Sequence, residues 1–390
     1  MSVFIKRYSY LLLLAYTVFV SVYALMIRTA VRLNGSRMYW TSQGLLRYCI
    51  LACIAFILII WFLVSANKKF SHNGVVGLVL LFIGLVLKAY LNWHFDKVGR
   101  WWSIPLDIST AVVFIGSTIS IVNSLIHTRL LYSNNIHFAT GVMILAAVAG
   151  IVFHFVWVPG YFEDEVGSLG VAISTVIPIL PLLPFSSIIN KLDKMYEENP
   201  SQGNFKMLYS RDFLLVSAIL IIATISAVVL NLYFFLEARL SAAADSPAPG
   251  IISALITISV LLCVADKWKY RVGSLVLIGC GIYLLSIILL FLGVKVYALS
   301  FILGGASIIL ILEQCVSFTL KRFGEPGAYG LWLIAIVVIP LTRLIWHKLN
   351  SLVLAFGNEA SVFFLLSLLL LIFAYLFRIS QQHEYGDKAD

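Results

Sequence analysis

The ten residues Ser65-Ala66-Asn67-Lys68-Lys69-Phe70-Ser71-His72-Asn73-Gly74 lead into a long apolar run, and 199 positions later Val264-Ala265-Asp266-Lys267-Trp268-Lys269-Tyr270-Arg271-Val272-Gly273 leads into another. Each is a short basic connection closed by a glycine, and the two align without a gap. A chain that repeats a loop at half its length is built from two copies of one unit, so the helices flanking each loop should correspond. The flanks are apolar: 61% of the 390 residues are hydrophobic and 12% are charged, against roughly 25% charged in a soluble domain. A backbone amide left unsatisfied in lipid costs several kcal/mol, so only helices or closed barrels cross a bilayer. The runs here are continuous rather than alternating, which selects helices.

With about twenty residues per crossing, the first half holds spans over 8–31, 44–66, 74–93, 105–127, 136–158 and 168–189. The second half holds spans over 213–236, 249–265, 272–293, 296–318, 328–348 and 360–379. The expected fold is therefore an all-α polytopic membrane protein of twelve transmembrane helices in two pseudo-symmetric six-helix bundles. An N-terminal bundle (1–189) and a C-terminal bundle (213–380) are joined by a polar cytoplasmic linker (190–212), and a short cytoplasmic tail (381–390) follows. Lys and Arg concentrate in connections on the linker's side, whereas the acidic loop Tyr161 to Glu165 has none, which places both termini in the cytoplasm. Arg28, Arg32, Arg37 and Arg47 make the first outer loop an exception. The net charge of +9 is accounted for by this sorting rather than by a nucleic-acid patch. Cys49, Cys53, Cys263, Cys280 and Cys315 all fall within apolar runs, without the spacing of a disulfide framework or a metal site. Lys6 and Arg7 precede an apolar run that lacks a small-residue cleavage site, so that run reads as a first membrane helix rather than a removable signal.

Polar residues inside the spans fall in heptad stripes, which keep to one side of a helix. The fourth span has Thr110, Ser117 and Ser124, and the tenth has Ser300, Ser307 and Gln314, each 190 positions later. The seventh repeats the theme with Ser217, Thr224 and Asn231, and the first, more loosely, with Tyr16, Thr17, Ser21 and Tyr23. A polar stripe is favoured where it faces other helices or a watered path. The competing reading of any single stripe is close helix packing with hydroxyls bonded back to the preceding turn. Ionisable groups inside helices are expensive and so mark gates or pathways. They are Glu313 on the tenth span, near Lys321 and Arg322; Arg343 and His347 on the eleventh; and His154 on the fifth. Arg343 offers a planar fork suited to carboxylate or phosphate, and the histidines titrate near neutral pH. Lys88 on the third span is expected to snorkel, and Asp107 to cap the fourth span. Prolines 178, 181 and 184 should bend the sixth span.

Taken together, the two halves and the loops after the second and eighth spans resemble the major facilitator superfamily over nearly the whole chain. That family carries a loop of the form Gly-x-x-x-Asp-Arg-x-Gly-Arg-Arg after its second helix and a weaker copy after its eighth. Here the second copy is the better one, with Asp266 followed by Lys267, Lys269 and Arg271, whereas the first has Asn67 in place of the acid. The resemblance implies that Asp266 caps the facing eleventh helix and that the three cations make cytoplasmic gate contacts. It also implies that Glu313 pairs with loop cations such as Lys321 as an inner gate. The fourth span lacks the Arg, and the fifth the Gly-Pro pair, of proton-coupled antiporters, so drug-proton exchange gains no support.

The function expected is secondary active transport of a small solute by alternating access through a cavity lined by spans one, four, seven and ten. An excess of cations (Arg28, Arg47, Lys88, Arg343 against Asp107 and Glu313) points to an anionic or amphiphilic organic solute. The expected partners are the bilayer, the solute and a coupling proton or sodium ion, with no nucleic acid, cofactor or metal, and a monomer is favoured. No phosphate-binding loop, Cys-x-x-Cys pair or Ser-His-Asp order suggests an enzyme. Two other classes fit the same pattern: a receptor, scaffold or assembly partner on this fold, and a lipid flippase or lipid-linked membrane enzyme. The membrane expected is the cytoplasmic one, inner or plasma.

Overall fold

A continuous apolar run satisfies its backbone polar groups only by coiling, and every regular element in the computed structural model is helical among the described residues. Those residues are 2–26, 74–93, 103–161, 167–198, 205–240, 272–292, 297–356 and 359–386. The helices are α1 (Ser2–Met26), α2 (Gly74–Trp93), α3 (Ser103–Tyr132), α4 (Ile136–Tyr161), α5 (Gly167–Val176), α6 (Ser186–Glu198), α7 (Arg211–Leu240), α8 (Val272–Leu290), α9 (Tyr297–Phe356) and α10 (Glu359–Gly386). A 3₁₀ segment, Ile177–Phe185, joins α5 to α6. Seven stretches of the described residues are long and apolar enough to cross a membrane. The second and eighth spans, and with them Asp266, Lys267, Lys269 and Arg271, lie outside the described residues.

The third span starts and ends where the sequence places it, and most others run a few residues longer at one end or both. Two boundaries differ in kind. The stretch read as linker begins as helix, since α6 runs through Glu198, and the tail begins as helix, since α10 runs to Gly386. The tenth and eleventh spans form one long element, α9, broken only at Gly324, which takes φ 65° and ψ −130°. Glycine alone adopts a positive φ without a steric penalty.

The chain divides into two compact units, one of residues 1–131 with 145–201, the other of 132–144 with 202–390. In the first, Leu78, Leu81 and Leu85 of α2 pack with Val20 and Tyr23 of α1, Val113 of α3, and Ile179 and Leu182 of the 3₁₀ segment. The opposite side of α2 (Val79, Ile83, Val86, Tyr90) is exposed, as a lipid-facing side should be. In the second unit, Val276, Cys280, Tyr283, Ile287 and Leu290 form the buried stripe of α8. Nearby, Phe318 of α9 meets Phe377 of α10 edge to face at 5.0 Å.

The proline-rich sixth span shows how one helix completes another. Pro178 has no N–H to give the Ser174 carbonyl one helical turn back, and Pro181 has none for the Pro178 carbonyl at 3₁₀ spacing. Two tyrosines a heptad apart on α1 supply the missing donors: Tyr23 Oη donates to the Ser174 carbonyl at 3.1 Å and Tyr16 Oη to the Pro178 carbonyl at 2.8 Å.

The repeat read in the sequence has a counterpart in the units. Gly74 and Gly273, the paired glycines that close the basic loops, each give their backbone N–H to a side chain from the end of the same unit. Gly74 donates to Asp193 Oδ2 of α6 at 2.8 Å, and Gly273 to Gln381 Oε1 of α10 at 2.9 Å. An acceptor there satisfies one of the donors left open at a helix start.

Candidate functional site

Among the described residues of the second unit, Glu313 is the most deeply enclosed carboxylate, with none of its surface exposed. It lies on α9 beside Gln314 and one turn before Ser317. The segment 132–144, which belongs to this unit, brings the first turns of α4 against it. His137 Nδ1 and Thr140 Oγ1 both lie 3.1 Å from Glu313 Oε1, and Ser317 Oγ donates to the same oxygen. Gln314 Nε2 donates to Oε2. Thr140 Oγ1 and Ser317 Oγ also contact each other. A buried carboxylate is costly unless hydrogen-bonded, and four side chains meet that need here. Gln314 Oε1 remains buried without a hydrogen-bond partner. His137 is the member open to solvent, its side chain 21% exposed.

The cations expected beside Glu313 are elsewhere. Arg322 binds Asp212 Oδ2 at 3.1 Å and lies over the rings of Phe318 and Phe323, while Ser380 donates to Asp212 Oδ1. Lys321 is exposed. In this structure the side chains that contact Glu313 are neutral donors and one histidine. His137, Thr140 and Ser317 were not singled out from the sequence. The i, i+4 pair Glu313/Ser317 and the i, i+3 pair His137/Thr140 are visible there, but nothing in the sequence joins one to the other.

Three solved structures align with almost the entire chain. A major facilitator superfamily transporter, FucP, in its outward conformation matches with TM-score 0.65 and 14% identity, covering 94% of this chain and 98% of that one. A variant of the E. coli fucose:proton symporter FucP matches with TM-score 0.55 and 13% identity over the same shares. A bacterial homologue of the iron transporter ferroportin, outward-facing, matches with TM-score 0.69 and 13% identity, covering 96% of this chain and 99% of that one. The chain has the major facilitator fold. No protein-family model matches the sequence, and no curated protein matches it. At this identity the agreement is in architecture: a multi-pass helical membrane protein whose sequence diverges from those of the matched structures.

Within the major facilitator fold the polar stripes separate into two groups. Thr17, Ser21, Ser117, Ser300 and Ser307 are buried. Their hydroxyls are bound to backbone: Thr17 to the Leu13 carbonyl, Ser21 to that of Thr17, Ser117 to that of Ser21, Ser300 to that of Ser286, and Ser307 to that of Gly304. Ser117 and Ser300 thereby join neighbouring helices. Tyr16, Thr110, Ser217 and Thr224 are half-buried. Ser217 and Thr224 bond back to the Phe213 and Leu220 carbonyls, which leaves only their outer surfaces for a ligand. Lys88 does not snorkel: it is 2% exposed. Asn231, His154, Arg343 and His347 lie within helices, but their side chains are outside the described residues.

Proposed function

We propose that this chain is a secondary active transporter that moves a small anionic or amphiphilic organic solute across the cytoplasmic membrane by alternating access, with both termini cytoplasmic. The observation that carries the reading is the match, over nearly the whole chain, to three solved structures of two transporters, FucP and a bacterial ferroportin homologue. The two six-helix halves (1–189 and 213–380) would act as the moving bodies, with Asp266, Lys267, Lys269 and Arg271 as cytoplasmic gate contacts. The half-buried Tyr16, Thr110, Ser217 and Thr224, with Asn231 and Arg343, are the proposed solute-facing residues.

Coupling is assigned to Glu313, a fully buried carboxylate of the second unit, with His137 as its route to solvent. A carboxylate held by hydroxyls, an amide and an imidazole keeps most of its hydrogen bonds whether or not it carries a proton, so a proton changes the local charge without dismantling the cluster. His154 and His347 are further coupling candidates. The test is flux in proteoliposomes loaded with labelled organic acids, sugar acids and amphiphiles, with and without an imposed proton gradient. Uptake above protein-free liposomes, increased by the gradient, is the expected result. Absence of flux for every class, combined with specific ligand binding, would favour a receptor on this fold.

A further inference from the structure

The paired glycines are held by different chemistry in the two units. Gln381, which accepts from Gly273, is a neutral amide, whereas Asp193, which accepts from Gly74, is a carboxylate. Asp193 Oδ1 also receives Asn123 Nδ2 at 2.9 Å and lies 2.8 Å from His127 Nε2, both from α3. His127 is 0% and Asp193 4% exposed. The second unit shows that an amide is sufficient to hold the glycine N–H. The acid and imidazole of the first unit therefore supply something that holding alone does not require, namely a charge that protons can change. We propose that His127 and Asp193 form a proton-responsive clamp, whose ionisation sets how firmly α6 is held against the start of α2 and the end of α3.

Among the described residues, α2, α3 and α6 supply the groups around the pair. The start of α2 offers the Gly74 N–H, and its first titratable side chain, Lys88, is fourteen residues on, about 21 Å along the helix. From α3 come Asn123 and His127, with Arg129 half-buried two positions further along. On α6, Lys191 and Lys194 are exposed. With a neutral imidazole the cluster carries one negative charge, and with an imidazolium it becomes a charge-assisted pair at low local dielectric. Added protons tighten the clamp, and their removal loosens it.

Hydrogen exchange of the full-length protein in lipid nanodiscs, at pH 6 and pH 8 and corrected for the intrinsic chemical rate, tests the clamp directly. The amides of α6 and of the first turn of α2 should exchange about fivefold more slowly at pH 6, the scale of one strengthened local contact. Asp193→Gln, which copies Gln381, should keep α6 protected but remove the pH dependence, and His127→Gln should also remove it. Equal corrected protection of wild type at both pH values overturns the proposal, as does pH dependence that survives in His127→Gln. If Asp193→Gln fails to yield monodisperse protein, wild type and His127→Gln decide the question between them.

Discussion

At the scale of single residues, the sixth span separates what a proline costs from what a neighbour restores. Three prolines would leave carbonyls unpaired in lipid, and Tyr16 and Tyr23 satisfy two of them. Tyr23→Phe removes one oxygen and is expected to destabilise the protein by about 1–3 kcal/mol, the cost of a buried polar group without its partner. The fall should appear as a lower midpoint in thermal denaturation of the detergent-solubilised protein. Tyr16→Phe should cost less, because its site is only half-buried and water can replace the hydroxyl. Equal midpoints for wild type and Tyr23→Phe would remove this account of the bent span.

At the scale of elements, one glycine sets how two helices meet and another sets where α9 breaks. A methyl group on Gly116 of α3 would come within 2.9 Å of the Gly77 carbonyl oxygen and 2.8 Å of Leu81 Cα on α2, both backbone atoms that cannot swing aside. Gly116→Ala is therefore expected to force α2 and α3 apart and cost about 1–3 kcal/mol or more. Gly141→Ala on α4 is the matched control, since nothing lies within 4 Å of its added carbon. That substitution should stabilise by up to about 1 kcal/mol through helix propensity alone. Thermal midpoints moving in opposite directions for the two variants are the expected readout. Gly324→Ala, at φ 65°, should cost about 1–2 kcal/mol because an L-residue there brings its Cβ too close to a carbonyl oxygen.

At the scale of the whole molecule, the two units share a plan and distribute their charges differently. The first places a buried acid on α6, with His127 and Asn123 of α3 beside it, while the second places its acid on α9, with His137 of α4 beside it. By the 190-position register Glu313 corresponds to Asn123 and Ser317 to His127, so acid and partner have moved between elements while staying near the helix ends they join. Glu313→Gln retains an acceptor for His137 and Ser317 but cannot take up a proton. It should abolish gradient-driven uptake by at least about tenfold, as expected when a coupling group is removed, while counterflow exchange continues. Loss of counterflow as well would make Glu313 a structural residue rather than a coupling one.

Much of this protein follows from its sequence. Continuous apolar runs must be helices because lipid offers the backbone no other partner. The repeated basic loop implies two related units because a duplicated sequence folds to a duplicated structure. What the sequence did not reveal is which polar groups would meet. Tyr23 and Ser174 lie 151 positions apart, Asn123 and Asp193 lie 70 apart, and Thr140 and Glu313 lie 173 apart. Periodicity assigns a residue to a side of its own helix but carries no information on which helix faces it or at what depth. Hence periodicity did not show that the buried serines of the stripes bond to backbone carbonyls, that Lys88 is buried, or that hydroxyls and a histidine meet Glu313. Only the tertiary arrangement, in which helices distant in the chain bring their desolvated polar groups to one depth, decided those partnerships.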